Sequence, residues 1–507
     1  MPATATKPEY PGGTTPINLL QVSLTANDPA PPQLGPVKDD LLDLLRRHRI
    51  RNVHVEIVNV DLALRPSLFF IPSTHPIVVA YEQVKHQILE LLNKTVKANW
   101  QLLSPFNVGQ LEAKAQPMIV IAVKPLTSGN LSLLNPSDNP SAVSFIDRIN
   151  PNMLPEMGLS VGINQDSNAG TLGGFVTLTR NGKIHRGFLT NYHVVRPSET
   201  HNQPDNFLEH LDQFGLSFSR PPTRMIQMES LARMDRNATL TEIDESLESS
   251  HTTQSEISSG VQQQELIGAV PPPRILQILE QCELQITELL QAFEVVEDMP
   301  IILGEVLLTS GKTLLGNKMM DWAFVELSKD VEDKYFRPNQ MFPVAANMMP
   351  RLFRRELGSL GGVIAPGGSK LTEFGSLVEG QYCTKRGRTT DITAGICNGP
   401  KAFCNWSKSQ LARYDHDGNP IDPATESTEE FLILSKKANH PSFEQSSFTA
   451  DGDSGSFVMD QFGTVTGLLF GRFKQGYAYA GVASSMSDVQ ESIKLRAGGS
   501  ASLGLPV

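Results

Sequence analysis

Thr449-Ala450-Asp451-Gly452-Asp453-Ser454-Gly455-Ser456-Phe457-Val458 is a tight polar loop that runs straight into an apolar pair. Glycines on both sides of Ser454 let the backbone bend sharply, expose the hydroxyl and turn backbone N–H groups into a common space beside it. Acyl transfer needs that arrangement: a nucleophile with two donors aimed at the place where an oxyanion forms. Alone, such a string is more often a surface turn, so its meaning depends on what accompanies it.

Two other strings accompany it. Gly187-Phe188-Leu189-Thr190-Asn191-Tyr192-His193-Val194-Val195 reads as a strand delivering a histidine at its end, and Asp321-Trp322-Ala323-Phe324-Val325-Glu326-Leu327 as an aspartate opening a strand. The chain order is His, Asp, Ser. With these residues the sequence resembles the trypsin-like, chymotrypsin-fold serine proteases, and most of all intracellular fungal members carrying an N-terminal extension. The resemblance implies a mainly β fold: a double six-stranded antiparallel β-barrel, here with a small N-terminal α/β domain and a helical insertion in the first barrel. An α/β-hydrolase elbow does not fit, because Ser456 stands where its second glycine would be and the acid precedes the serine.

The 507 residues exceed one compact core, so about two to four domains are expected. The formal charge of −11 and the lack of Lys/Arg clusters interleaved with aromatics argue against a nucleic-acid or anionic-membrane surface. No apolar run approaches a membrane span, and the N-terminus has no apolar secretion signal. Cys282, Cys383, Cys397 and Cys404 then read as reduced thiols of an intracellular, cytoplasmic protein, without histidines at zinc-ligand spacing, so no metal is expected.

In chain order, residues 1–36 are Pro/Thr/Gly/Ala-rich without periodicity and predict a disordered leader. Residues 37–126 predict the small α/β domain, with helices near 39–49 and 81–92 and strands at 53–58 and 118–123. Residues 127–155 read as a linker and 156–350 as the first barrel, where Asn181-Gly182 marks a hairpin. The insertion at 200–299 is polar, especially Thr239–Glu265, and ends in an amphipathic helix at 274–296. That helix suits packing on the barrel and partner binding or self-association about equally. Residues 351–372 read as the inter-barrel strap, 373–495 as the second barrel with a terminal helix capped by Ser487, and 496–507 as a flexible tail.

By resemblance, Ser454 is the nucleophile, His193 the general base and acid, and Asp321 the residue that orients the imidazole. The backbone N–H groups of Gly452 and Ser454 form the oxyanion hole, and a protein or peptide is cut through an acyl-enzyme without a cofactor. Rivals are His185 for the base and Asp298, Asp330 and Asp333 for the acid. Asp453 is not the triad acid, and its partner is open. The resemblance puts the substrate pocket at Phe448, six residues before the serine, and at Phe470, Gly471 and Arg472. With no carboxylate at the floor, an apolar side chain is expected, or an acidic one paired with Arg472. The extra N-terminal segment raises autocatalytic processing. The competing reading is a barrel that keeps the fold and serves as a silent, partner-binding scaffold.

Overall fold

The computed structural model describes residues 18–24, 53–59, 67–95, 100–109, 115–123, 131–133, 142–149, 155–198, 206–221, 223–342, 366–406, 414–421, 427–435, 448–475 and 478–506. The chain divides into two compact units: one of Met1–Phe69, Asn107–Gln116 and Gln475–Ala478, the other of the remainder. In the smaller unit, strand Asn18–Leu24 pairs in parallel with Val53–Asn59, so part of the presumed leader is a strand. The helix expected near 39–49 and the arginines at 351–355 lie outside the described residues.

The larger unit holds two antiparallel barrels. In the first, Ser160–Ile163, Gln227–Ser230, Ile302–Thr309, Ala323–Leu327 and Lys183–Thr190 pair in that order. The segment 170–180 closes the ring. Its start pairs with Ser160–Ile163, and its continuation, Gly174–Arg180, pairs with Lys183–Thr190. The Gly174–Arg180 and Lys183–Thr190 strands meet through Asn181-Gly182, both at positive φ (50° and 77°), which suits the twist of a two-residue hairpin.

The second barrel is a complete circuit of six. Tyr382–Gly387 pairs with Asp391–Cys397, which pairs with Ser427–Ser435 and then Ala478–Ser485. Val465–Gln475 and Phe457–Met459 return the ring to Tyr382–Gly387.

Alternation along these strands fills three cores. Phe175, Phe188, Val306 and Val325 occupy the first barrel. Cys383, Cys397, Ile433, Val458 and Leu469 occupy the second. A third cluster joins outward faces of both barrels to the helix Met486–Ala497 through Leu178, Trp322, Phe324, Phe457, Leu468, Val489 and Ile493. Burial of large apolar side chains stabilises this seam by about 1.5–3 kcal/mol each. The functional strings sit along it.

Several boundaries differ from expectation. The described residues between 37 and 126 fall in both compact units. The helix Pro76–Thr95 covers Trp100, Leu103 and Phe403, and strand Trp100–Gly109 adds to the second barrel's sheet through Leu102 and Leu103. The linker 127–155 is partly ordered, with strand Leu131–Leu133 and a short helix at Ile146–Arg148. The insertion begins later than residue 200, because Gln227–Ser230 is a barrel strand.

The polar stretch 239–265 lies inside a 34-residue helix, Arg233–Leu266. It pairs with the 26-residue helix Pro273–Asp298 as a hairpin rooted on Phe145, Leu159 and Leu231. The Pro273–Asp298 helix buries Cys282, Ile286, Leu289 and Val296, while Leu276, Ile278, Leu284 and Leu290 stay exposed. The terminal helix follows Ser485 rather than Ser487. The presumed flexible tail carries strand Ser502–Gly504 on the edge of the first barrel, anchored by the apolar Ala501 and Leu505. Among the described residues, no helix is long and apolar enough to cross a membrane.

Candidate active site

The strand pair Lys183–Thr190 and Ala323–Leu327 ends with Thr190 opposite Ala323. That register brings the residues just beyond each strand, Asn191 to His193 and Asp321, side by side. Asn191 Nδ2 donates to the Asp321 carbonyl at 2.5 Å, which ties the two strand ends together. The His193 backbone N–H donates to Asp321 Oδ1 at 3.1 Å, and the ring Nδ1 lies 2.5 Å from Oδ2. A carboxylate only accepts, so Nδ1 carries the hydrogen, and in the neutral imidazole Nε2 then keeps its lone pair. Nε2 lies 2.8 Å from Ser454 Oγ. Three side chains separated by up to 261 positions thus form one hydrogen-bonded chain. Ser454 is fully buried, whereas His193 keeps about a tenth of its side-chain surface exposed.

The rival residues lie elsewhere in the bonding pattern. His185 Nδ1 pairs with Glu326 Oε1 at 2.7 Å and its ring stacks near Phe218. Asp333 pairs with Lys329 in the helix Lys329–Tyr335, which also carries Asp330, and Asp298 ends the second hairpin helix.

The serine loop is stitched to both barrels. Thr171 N–H donates to the Ser454 carbonyl at 2.8 Å from the first, and Gly455 N–H donates to Leu469 O at 2.9 Å in the second. Gly452 and Gly455 both have φ near +92°, a conformation that side chains resist. At Gly452 a Cβ would also meet Arg388 Nη1 at 2.4 Å and Thr389 Oγ1 at 2.6 Å.

Asp453 is answered by residues that the sequence did not single out. Its carboxylate receives Lys385 Nζ at 2.8 Å, Thr389 N–H at 2.9 Å, Thr390 N–H at 3.1 Å, Thr390 Oγ1 at 2.7 Å and Ala450 N–H at 2.9 Å. Lys385 and Asp453 both have fully buried side chains. Burial alone would raise the Asp453 pKa, but the Lys385 charge and these donors outweigh it and hold the carboxyl below its usual range. The signal was present in Lys385-Arg386-Gly387-Arg388: cations along a central barrel strand need buried partners.

The residues proposed for the substrate pocket behave differently. Phe448 is a core residue, buried with Cys383, Cys397 and Leu469, and its ring fills the space in front of Gly395 and Gly481. Phe470 is also buried, 5.6 Å from the Trp406 ring centroid. Arg472 is half-buried and pairs with Asp451 at 2.7 Å, so its charge is already balanced inside the chain. Gly471 pairs with Leu133 as the Leu131–Leu133 strand runs antiparallel along 471–473. No group of three or more His, Cys, Asp or Glu able to hold a metal ion occurs among the described residues.

No protein-family model matches the chain, and no curated protein matches it. Solved structures similar to it include a glutamic-acid-specific serine protease that uses a histidine triad in substrate binding, at 11% identity and a TM-score of 0.29, covering 69% of this chain and 100% of that one. The chymotrypsin of Cellulomonas bogoriensis is similar at 10% identity and a TM-score of 0.29, covering 69% of this chain and 97% of that one. Protease A of Thermobifida fusca is similar at 9% identity and a TM-score of 0.30, covering 70% of this chain and 100% of that one. The double barrel rests on the strand pairing of this chain itself.

Proposed function

We propose that the protein is a serine endopeptidase that cuts peptide bonds through an acyl-enzyme. The observation that carries this reading is the continuous hydrogen-bonded chain from Asp321 through His193 to Ser454 Oγ. In the proposed reaction, Ser454 Oγ attacks the scissile carbonyl carbon while His193 Nε2 takes the hydroxyl proton. Asp321 holds the Nδ1–H and stabilises the imidazolium. The backbone N–H groups of Gly452 and Ser454 are assigned to the oxyanion, a role supported by the positive φ of Gly452, which lets the loop curl around one point. The C–N bond breaks as Nε2 returns the proton to the leaving amine. Water, deprotonated by the same nitrogen, then hydrolyses the ester. No step needs a cofactor.

A second reading, a silent protease-like scaffold, is favoured by the complete burial of Ser454 and by the chain's own strand along 471–473. A fluorophosphonate probe separates the two. The enzyme reading predicts covalent labelling of the wild type and none of Ser454→Ala. Equal, absent labelling of both folded proteins sinks it.

A further inference from the structure

The helical hairpin, Arg233–Leu266 with Pro273–Asp298, is joined to the serine loop by a second fully buried ion pair. Asp235 lies in the first turn of the long helix, where the helix dipole favours a carboxylate. Arg388 lies in the turn between strands Tyr382–Gly387 and Asp391–Cys397 of the second barrel. The guanidinium grips the carboxylate as a fork, Nε to Oδ2 at 2.6 Å and Nη2 to Oδ1 at 2.5 Å. Ser160 Oγ and Val143 N–H complete the carboxylate's partners at 2.5 Å and 2.8 Å. Such a planar, bidentate pair fixes direction as well as distance.

The other face of Arg388 backs the serine loop. Its Nη1 stands where a side chain on Gly452 would begin, 2.4 Å from the Cβ position, and donates to Thr389 Oγ1 at 3.3 Å. Thr389 then holds the loop from both sides, with its N–H on Asp453 and its hydroxyl on the Asp451 carbonyl at 2.6 Å. The Arg388 backbone N–H binds Thr171 Oγ1 at 3.0 Å, and that hydroxyl donates to the Gly452 carbonyl at 2.9 Å. A continuous run of short contacts therefore leads from the first turn of the hairpin to the residue before Asp453.

We propose that Asp235 and Arg388 are positioning residues: the hairpin sets the conformation of the 451–454 loop through their ion pair, and so sets the reactivity of Ser454. The hairpin is then a built-in part of the site rather than an ornament on the barrel. The inference rests on the hydrolase reading for its kinetic consequence, but its structural half stands apart from activity. Small displacements of a reacting group cost about 100-fold in rate, so loosening this clamp acts on the chemical step and leaves probe binding alone.

The test uses the full chain with two substitutions, Asp235→Asn and the milder Arg388→Lys, which keeps the charge but loses the fork. Inactivation by a fluorophosphonate gives a maximal rate and a half-saturating concentration separately. The expected result for each folded variant is a maximal rate lower by about 10- to 100-fold with half-saturation within about threefold of wild type. Hydrogen exchange is read on the same proteins. Residues 449–456 should lose protection in the variants while strand 183–190 keeps it. If Asp235→Asn does not fold, Arg388→Lys carries both readings. A wild-type maximal rate in a folded variant, or unchanged protection of 449–456, overturns the inference. If the wild type itself is not labelled, the hydrolase reading fails instead, and exchange alone decides whether the hairpin holds the loop.

Discussion

Replacing Lys385 by Met removes the charge that faces Asp453 while keeping most of the apolar stem. Both side chains are fully buried, and the ammonium lies 2.8 Å from Oδ2. Breaking a buried pair by deleting one partner costs about 3–5 kcal/mol, because the remaining charge stays out of water. Here the stranded carboxylate keeps Thr389 N–H, Thr390 N–H, Thr390 Oγ1 and Ala450 N–H. Those four donors place the loss at the lower end, about 3 kcal/mol at pH 7.

The pH dependence follows from the direction of the Asp453 shift. Its folded pKa lies below the ordinary 3.8, so the carboxylate's contribution is present above pH about 4 and is lost as pH falls through the depressed folded value, while burial lowers the pKa of Lys385 and so offsets part of the pair's gain. In the variant, protonating Asp453 relieves the uncompensated charge, so the gap between the two proteins narrows in acid. Urea unfolding at pH 7 and at pH 3.5 measures both, with the slope confirming that the unfolding transition stays comparable. A loss under 1 kcal/mol at pH 7, or a gap that does not shrink in acid, refutes the reasoning.

Glu430 is buried in the second barrel, and burial pushes its carboxyl from 4.5 up to about 7. A raised folded pKa means that stability is lost as pH rises between these values. Glu430→Gln, which keeps an acceptor for Met319 N–H, should therefore be more stable than wild type at pH 8 by up to about 3 kcal/mol and no more stable at pH 4, read by denaturant midpoints. Gly452→Ala should fold yet react with a fluorophosphonate at least about 10-fold more slowly, since the methyl meets Arg388 and Thr389 and the residue needs φ of 92°; wild-type labelling would exclude Gly452 from the oxyanion role. Asp321→Asn keeps the shape but no longer holds a single tautomer of His193, and peptide cleavage or probe labelling should fall by about 10³- to 10⁴-fold. A loss under about tenfold would remove Asp321 from the mechanism.

The strings around His193, Asp321 and Ser454 were legible because each couples a strand end to a polar residue, and the Asn181-Gly182 turn was legible because only a few residues tolerate its backbone. What the sequence hid was long-range pairing. Lys385 and Asp453 are 68 positions apart, and nothing local to either names the other. The Arg233–Leu266 helix has no clear apolar stripe in sequence, because its buried positions include Asp235, Thr239 and Ser250, with Ile243 the one apolar side chain fully covered. The helix is instead held by its partner helix and by the bidentate Asp235–Arg388 pair. The resemblance puts Phe448 at the pocket, and nothing in its own sequence neighbourhood shows that its ring lies against the distant Gly395 and Gly481. The tail beyond Gly498 looked unstructured because its glycine and serine content concealed Ala501, Leu503 and Leu505, which dock it on the first barrel.

The central claim is that Ser454 is a nucleophile activated by His193. Mass spectrometry of fluorophosphonate-treated protein tests it directly by locating the adduct. The account predicts one adduct per chain, on Ser454, that disappears in a folded His193→Ala variant. An adduct on another residue, or one that survives loss of the imidazole undiminished, would contradict it.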